Sequence, residues 1–85
     1  MQKDMALREH IFNIIYDVVI AKEANCRDPC YALFCADILP ILGLEYSRYE
    51  AEKAIESLLR SGRIEYKATA DDWLFRPRTY RIEHV

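Results

Sequence analysis

Apolar residues recur along this chain at two spacings, and the change from one to the other falls at Gly62. Upstream, Ala51, Ala54, Ile55, Leu58 and Leu59 share one face at helical spacing. Downstream the period drops to two, with Ile64 and Tyr66 on one side and Arg63, Glu65 and Lys67 on the other, as in a half-buried strand. The helix has both ends marked. Ser47 and Glu50 make a capping box, in which the hydroxyl accepts from the Glu50 N–H and the carboxylate reaches back to the Ser47 N–H. Gly62 stands just past the last periodic residue, where a left-handed cap carries no Cβ penalty. The pattern predicts a helix over 47–61 and a strand over 63–68.

The rest of the chain is arranged around that join. Residues 4–22 read as a first helix, with Leu7, Ile11, Phe12, Ile14, Ile15, Val18 and Val19 as its apolar positions. Tyr16 and Ile20 widen its stripe beyond the usual single face, so the helix needs cover on two sides. Two covers fit equally well: a second copy of the chain, along a seam of Phe12, Tyr16, Val19 and Ile20, or the chain's own hairpin or following loop. Tyr31-Ala32-Leu33-Phe34 is too short for periodicity to assign, and an extended piece is favoured over the start of a helix. A second helix over 36–42 carries Ala36, Ile38, Leu39, Ile41 and Leu42 and stops at Gly43; Pro40 suits only its first turn. Thr69-Ala70-Asp71-Asp72 supplies turn chemistry. A last strand is expected over 79–83, with Tyr80 and Ile82 facing inward. Trp73-Leu74-Phe75 reads as a flap on the body and Arg76-Pro77-Arg78 as loop or sheet edge, because proline donates nothing to a ladder.

Composition narrows the class. Eighty-five residues, 52% of them hydrophobic and 12% aromatic, suit one small domain with its own core. No apolar run is long enough to span a membrane, and the first residues lack the pattern of a signal peptide, so a cytoplasmic protein is expected. Cys26, Cys30 and Cys35 are odd in number, and their C-x3-C-x4-C spacing matches no zinc site; buried or half-buried thiols are expected, with no metal and no cofactor. No nucleophile triad, phosphate-binding glycine loop or HExxH helix occurs, and an enzyme is not expected.

The run Ala54-Ile55-Glu56-Ser57-Leu58-Leu59-Arg60-Ser61-Gly62-Arg63-Ile64 resembles the helix-to-wing junction of the winged-helix superfamily. Ala36-Asp37-Ile38-Leu39-Pro40-Ile41-Leu42-Gly43-Leu44 is similar to the first helix and turn glycine of a helix-turn-helix, although Leu44-Glu45-Tyr46 before the Ser47 cap makes a longer turn than bacterial repressors have. The resemblance covers about residues 5–83. It implies an α+β fold, a three-helix bundle with a small antiparallel hairpin wing. It also implies a third helix in the DNA major groove and a wing on backbone or minor groove.

Carried onto this chain, the implied DNA-binding residues are Arg48, Tyr49, Lys53, Ser57 and Arg60 on the third helix, and Arg76 and Arg78 on the wing. Arg60 to Val85 holds six Lys/Arg against four Asp/Glu, a net of +2, while Met1 to Leu59 holds six against ten, a net of −4. The positive part is thus the part that would face DNA. Against this, Arg48, Glu52, Glu56 and Arg60 step by four and can neutralise one another along one line. The expectation is a homodimeric transcriptional regulator binding double-stranded DNA. The alternative is a winged-helix module whose third-helix face meets a protein partner.

Overall fold

The computed structural model describes residues 2–26 and 28–78. Three helical segments pack against a three-stranded antiparallel sheet, giving an α+β architecture. In chain order these are α1 (Gln2–Glu23), β1 (Ala32–Leu33), a helical segment that opens as a wide turn (Phe34–Ile38) and continues as α2 (Leu39–Leu42), α3 (Arg48–Arg60), β2 (Ile64–Ala68) and β3 (Trp73–Pro77).

α1 is the spine. Leu7, Ile11, Ile14, Ile15 and Val19 are buried, and α3, β1, β3 and the wide turn all pack on the helix. Its broad apolar stripe is therefore covered largely from within the chain. Arg63, just ahead of β2, lays its guanidinium 4.2 Å from the Phe12 ring centroid and pairs with Glu9. The Arg63 hydrogen bond holds the Glu9 carboxyl below its ordinary range. At the other end Lys22 donates to the Tyr31 carbonyl (2.7 Å) and to Asp37 Oδ2 (2.8 Å), fastening the loop after α1.

The helix over 34–42 begins two residues earlier than its hydrophobic pattern suggests, and its first turn is π-helical, with Leu39 N–H donating to the Phe34 carbonyl. Pro40 accounts for the wide turn, because it has no N–H for the i→i−4 bond that an α-turn would need there. The short extended piece is β1, two residues long, with Phe34 already helical.

α3 matches its sequence signals closely. Glu50 N–H donates to Ser47 Oγ (3.1 Å) and Ser47 N–H to Glu50 Oε1 (2.9 Å), so the capping box is complete. Ala51, Ala54, Ile55 and Leu58 are buried. α1 packs directly on α3. Gly62 has φ +75° and turns the chain into β2.

The hairpin departs from the expected register. Its returning strand is Trp73–Pro77, directly after the Thr69–Asp72 turn; the strand placed at 79–83, with Tyr80 and Ile82, lies outside the described residues. Trp73-Leu74-Phe75 is no flap but the middle of the sheet, whose order is β1-β3-β2. Pro77 is accommodated at a pair that makes no ladder bond. Arg78 N–H donates to the Arg63 carbonyl (2.9 Å), which puts the Ile64–Pro77 pair out of phase with the bonded ones, and β1 reaches only Phe75 and Leu74 on the other edge. Phe34 lies beneath the sheet, with ring centroids 5.6 Å from Trp73 and 6.4 Å from Phe75.

The hairpin tip also closes the helical segment. Asp72 accepts from the N–H groups of Cys35 (3.0 Å), Ala36 (3.2 Å) and Trp73 (2.8 Å), capping the wide turn from a distant part of the chain. Burial pushes this carboxyl up, but the three N–H groups outweigh it and the net shift is downward. Among the described residues no helix is long and apolar enough to cross a membrane.

Candidate nucleic-acid interface

The outward positions of α3 do not form a bare convex face. Tyr49, Lys53, Ser57 and Arg60 line one wall of an open cleft of about 490 Å³, and Leu7 and Arg8 of α1 line the other. The capping residues fix the start of α3, and the buried Ala54–Leu58 side fixes its rotation, so these four side chains are held toward the cleft. Arg8 Nη1 donates to Ser57 Oγ (2.7 Å) and ties the two walls together. Tyr49 is 66% exposed, and the Lys53 ammonium lies 5.5 Å from its ring centroid. Among the described residues Glu50 is the one acid lining the cleft, and its carboxylate is occupied by the Ser47 N–H.

Charge pairing separates the cations into two groups. Among the described residues, Arg8, Lys53 and Arg60 make no carboxylate contact within 4 Å. Arg48 does: its Nε donates to Glu52 Oε2 (3.0 Å), and its guanidinium sits 5.4 Å from the Phe34 centroid. The four-residue charge ladder along α3 is thus realised at its N-terminal rung, while Arg60 turns into the cleft.

On the hairpin, Arg76 is a structural residue. It is not on an extended loop but in β3, and its side chain is only 12% exposed. Its Nη1 donates to Glu23 Oε2 (2.8 Å) and to the Cys30 carbonyl (2.9 Å), while Cys30 N–H donates to the same Glu23 oxygen (3.1 Å). The Arg76 hydrogen bond, then that of Cys30 N–H, hold the Glu23 carboxyl below its ordinary range. Arg76 and Lys67 both lie 5.8 Å from the Tyr31 ring centroid. Such an arginine is taken up by the fold and cannot reach a minor groove. Arg78 is more open, at 4.0 Å from Glu65.

The residues expected as a seam on α1 are divided between core and surface. Val19 is fully buried in the core, Phe12 lies under Arg63 and stands 6.3 Å from Tyr16, and of the four residues only Ile20 is a strongly exposed hydrophobe. Cys26 and Cys35 are exposed and Cys30 half-buried, all three as free thiols, against the expectation of uniformly sheltered ones. Burial and the neighbouring Cys26 thiol push Cys30 up, away from the reactive thiolate. No group of three or more His, Cys, Asp or Glu among the described residues is placed to hold a metal ion.

Two contributors escape a reading of the sequence: Arg8 and Asp72. Arg8 follows buried Leu7 at the border of α1's apolar face, where a long cationic side chain can lie along a neighbouring helix; that border position is its only signal. Asp72 carries turn chemistry in the sequence, and nothing local shows which N–H groups it will meet. No protein-family model, curated protein or solved structure compared with the chain matches it.

Proposed function

We propose that the chain is a winged-helix domain that binds double-stranded DNA along the outer face of α3, and that it serves as a small cytoplasmic transcriptional regulator without enzymatic activity. The order α1, β1, α2, α3, hairpin, with β1 added to the returning strand, supports the winged-helix reading. The observation that carries the DNA reading is the cleft, where Arg8 of α1 and Lys53 and Arg60 of α3, none of them paired with a carboxylate among the described residues, stand beside the exposed Tyr49. In the proposed complex Arg8 and Arg60 meet phosphates, Lys53 reaches a phosphate or a guanine edge, and Tyr49 lies on backbone or a thymine methyl. The hairpin adds little, since Arg76 is held by Glu23 and Arg78 stands 4.0 Å from Glu65.

A second reading has its own support. The described hairpin guanidiniums pair within the chain, and α3 presents Glu52 and Glu56 toward the sheet, which suits a module that meets protein. A fluorescence-anisotropy titration of random-sequence duplex at low ionic strength separates the two. Binding that weakens on Lys53→Ala and Arg60→Ala supports DNA; no binding by the folded protein leaves the protein-interaction module.

A further inference from the structure

The other flank of α3 carries a different chemistry. Between α3 and the hairpin lies a groove of about 170 Å³, floored by Ile55, Leu59 and Phe75 and walled by Tyr66 and Trp73. Its rim is acidic, with Glu52 and Glu56 one helical turn apart. Tyr66 is 50% exposed and Trp73 39%. The rings brace each other: Tyr66 stacks on Phe75 at 5.8 Å and meets Trp73 edge to face at 6.4 Å, so the walls are set before anything binds. Glu52 also receives Arg48, whereas Glu56 makes no ion pair among the described residues.

We infer that this groove docks a basic segment of a partner protein, one that places an aliphatic side chain on the apolar floor and Arg or Lys against Glu56 and the faces of Trp73 and Tyr66. Size excludes a whole cofactor or nucleotide, because small-ligand pockets run from about 300 Å³ upward, while a groove of this volume takes one or two side chains. Charge disfavours nucleic acid here, since a phosphate would meet the Glu56 carboxylate beside an apolar surface. Aromatic faces next to acids favour cations twice over, by ion pairing and by cation–π attraction. The surface is distinct from the basic cleft across α3, so one helix separates a site for anions from a site for cations.

The test uses the full chain and a fluorescein-labelled helical peptide of Leu, Arg and Ala with one Leu/Arg stripe, beside a counterpart with Glu for Arg. Trp73 is the only tryptophan, so its emission reports on the groove directly. The Arg peptide is expected to bind, shift Trp73 emission to the blue and lose affinity with salt; Glu56→Lys, at an exposed position, is expected to weaken it at least tenfold. Lys53→Ala, on the opposite flank, is expected to leave peptide binding unchanged. Equal binding of the Glu peptide, an unaltered affinity in Glu56→Lys, or no binding up to about millimolar peptide overturns the inference. Self-association lost in Glu56→Lys would assign the groove to a second copy and overturn it as well.

Discussion

Replacing Arg76 by alanine is expected to unfold this protein more easily and to leave its surface chemistry alone. The guanidinium joins the end of α1 to the central strand through Glu23 and the Cys30 carbonyl, in a setting where its side chain is 12% exposed and that of Glu23 25%. Hydrogen bonds to charged groups at such partly buried positions contribute about 1.5–3 kcal/mol. The aliphatic stem, packed near Tyr31, adds to the loss. A destabilisation of about 2–3 kcal/mol follows, tempered by the Cys30 N–H, which still serves Glu23. For a domain of this size each kcal/mol lowers Tm by about 4–8 °C, so the drop is about 10–20 °C. Urea denaturation followed by Trp73 fluorescence and by far-ultraviolet circular dichroism measures it. A cycle with Glu23→Gln should show coupling of about 1 kcal/mol or more. An unchanged midpoint together with weakened DNA binding would refute the reasoning, since Arg76 would then be serving a ligand and not the fold.

Three further outcomes are expected. Asp72→Ala leaves the N–H groups of Cys35, Ala36 and Trp73 without their acceptor and should cost about 1–2 kcal/mol, read by denaturation, with faster hydrogen exchange at Cys35 and Ala36. Gly43→Ala should cost more than Gly62→Ala: neither new Cβ meets an atom within 4 Å, but Gly43, at φ 74° and ψ −151°, is in a region nearly reserved for glycine, worth about 1–3 kcal/mol against about 1–2 at a left-handed cap. Glu9, Glu23 and Asp72 all have folded-state carboxyls below their ordinary values, so their contributions are complete above those values and lost as pH falls through the lowered ones. Stability should therefore decline below about pH 4.5, and Glu23→Gln should flatten that acid limb.

The elements that could be read from sequence are those whose signals are local. Ser47, Glu50 and Gly62 bracket α3, and the alternation after Gly62 marks β2, because caps and periodicity act within a few residues. β3 was hidden for a physical reason. A strand with neighbours on both edges, and with Trp73, Leu74 and Phe75 in succession, shows no alternation, and Pro77 looks like a break until the phase of the ladder is known. The outer residues of α3 were identifiable from the helical wheel, since the buried face determines the opposite one. The place of Arg76 is not legible in the sequence, because its partners, Glu23 and the Cys30 carbonyl, are some fifty residues away in the chain. Long-range pairing of this kind leaves no trace in local pattern.

Salt dependence of duplex binding tests the central claim most directly. With Arg8, Lys53 and Arg60 neutralising about three phosphates, the logarithm of the binding constant should fall against the logarithm of salt concentration with a slope of about −3. Removing any one of the three cations should flatten the slope by about 1. Arg76→Ala, assayed where it is folded, should leave it unchanged. A folded protein that fails to bind random duplex at low ionic strength, or a slope indifferent to these three residues, would contradict the account.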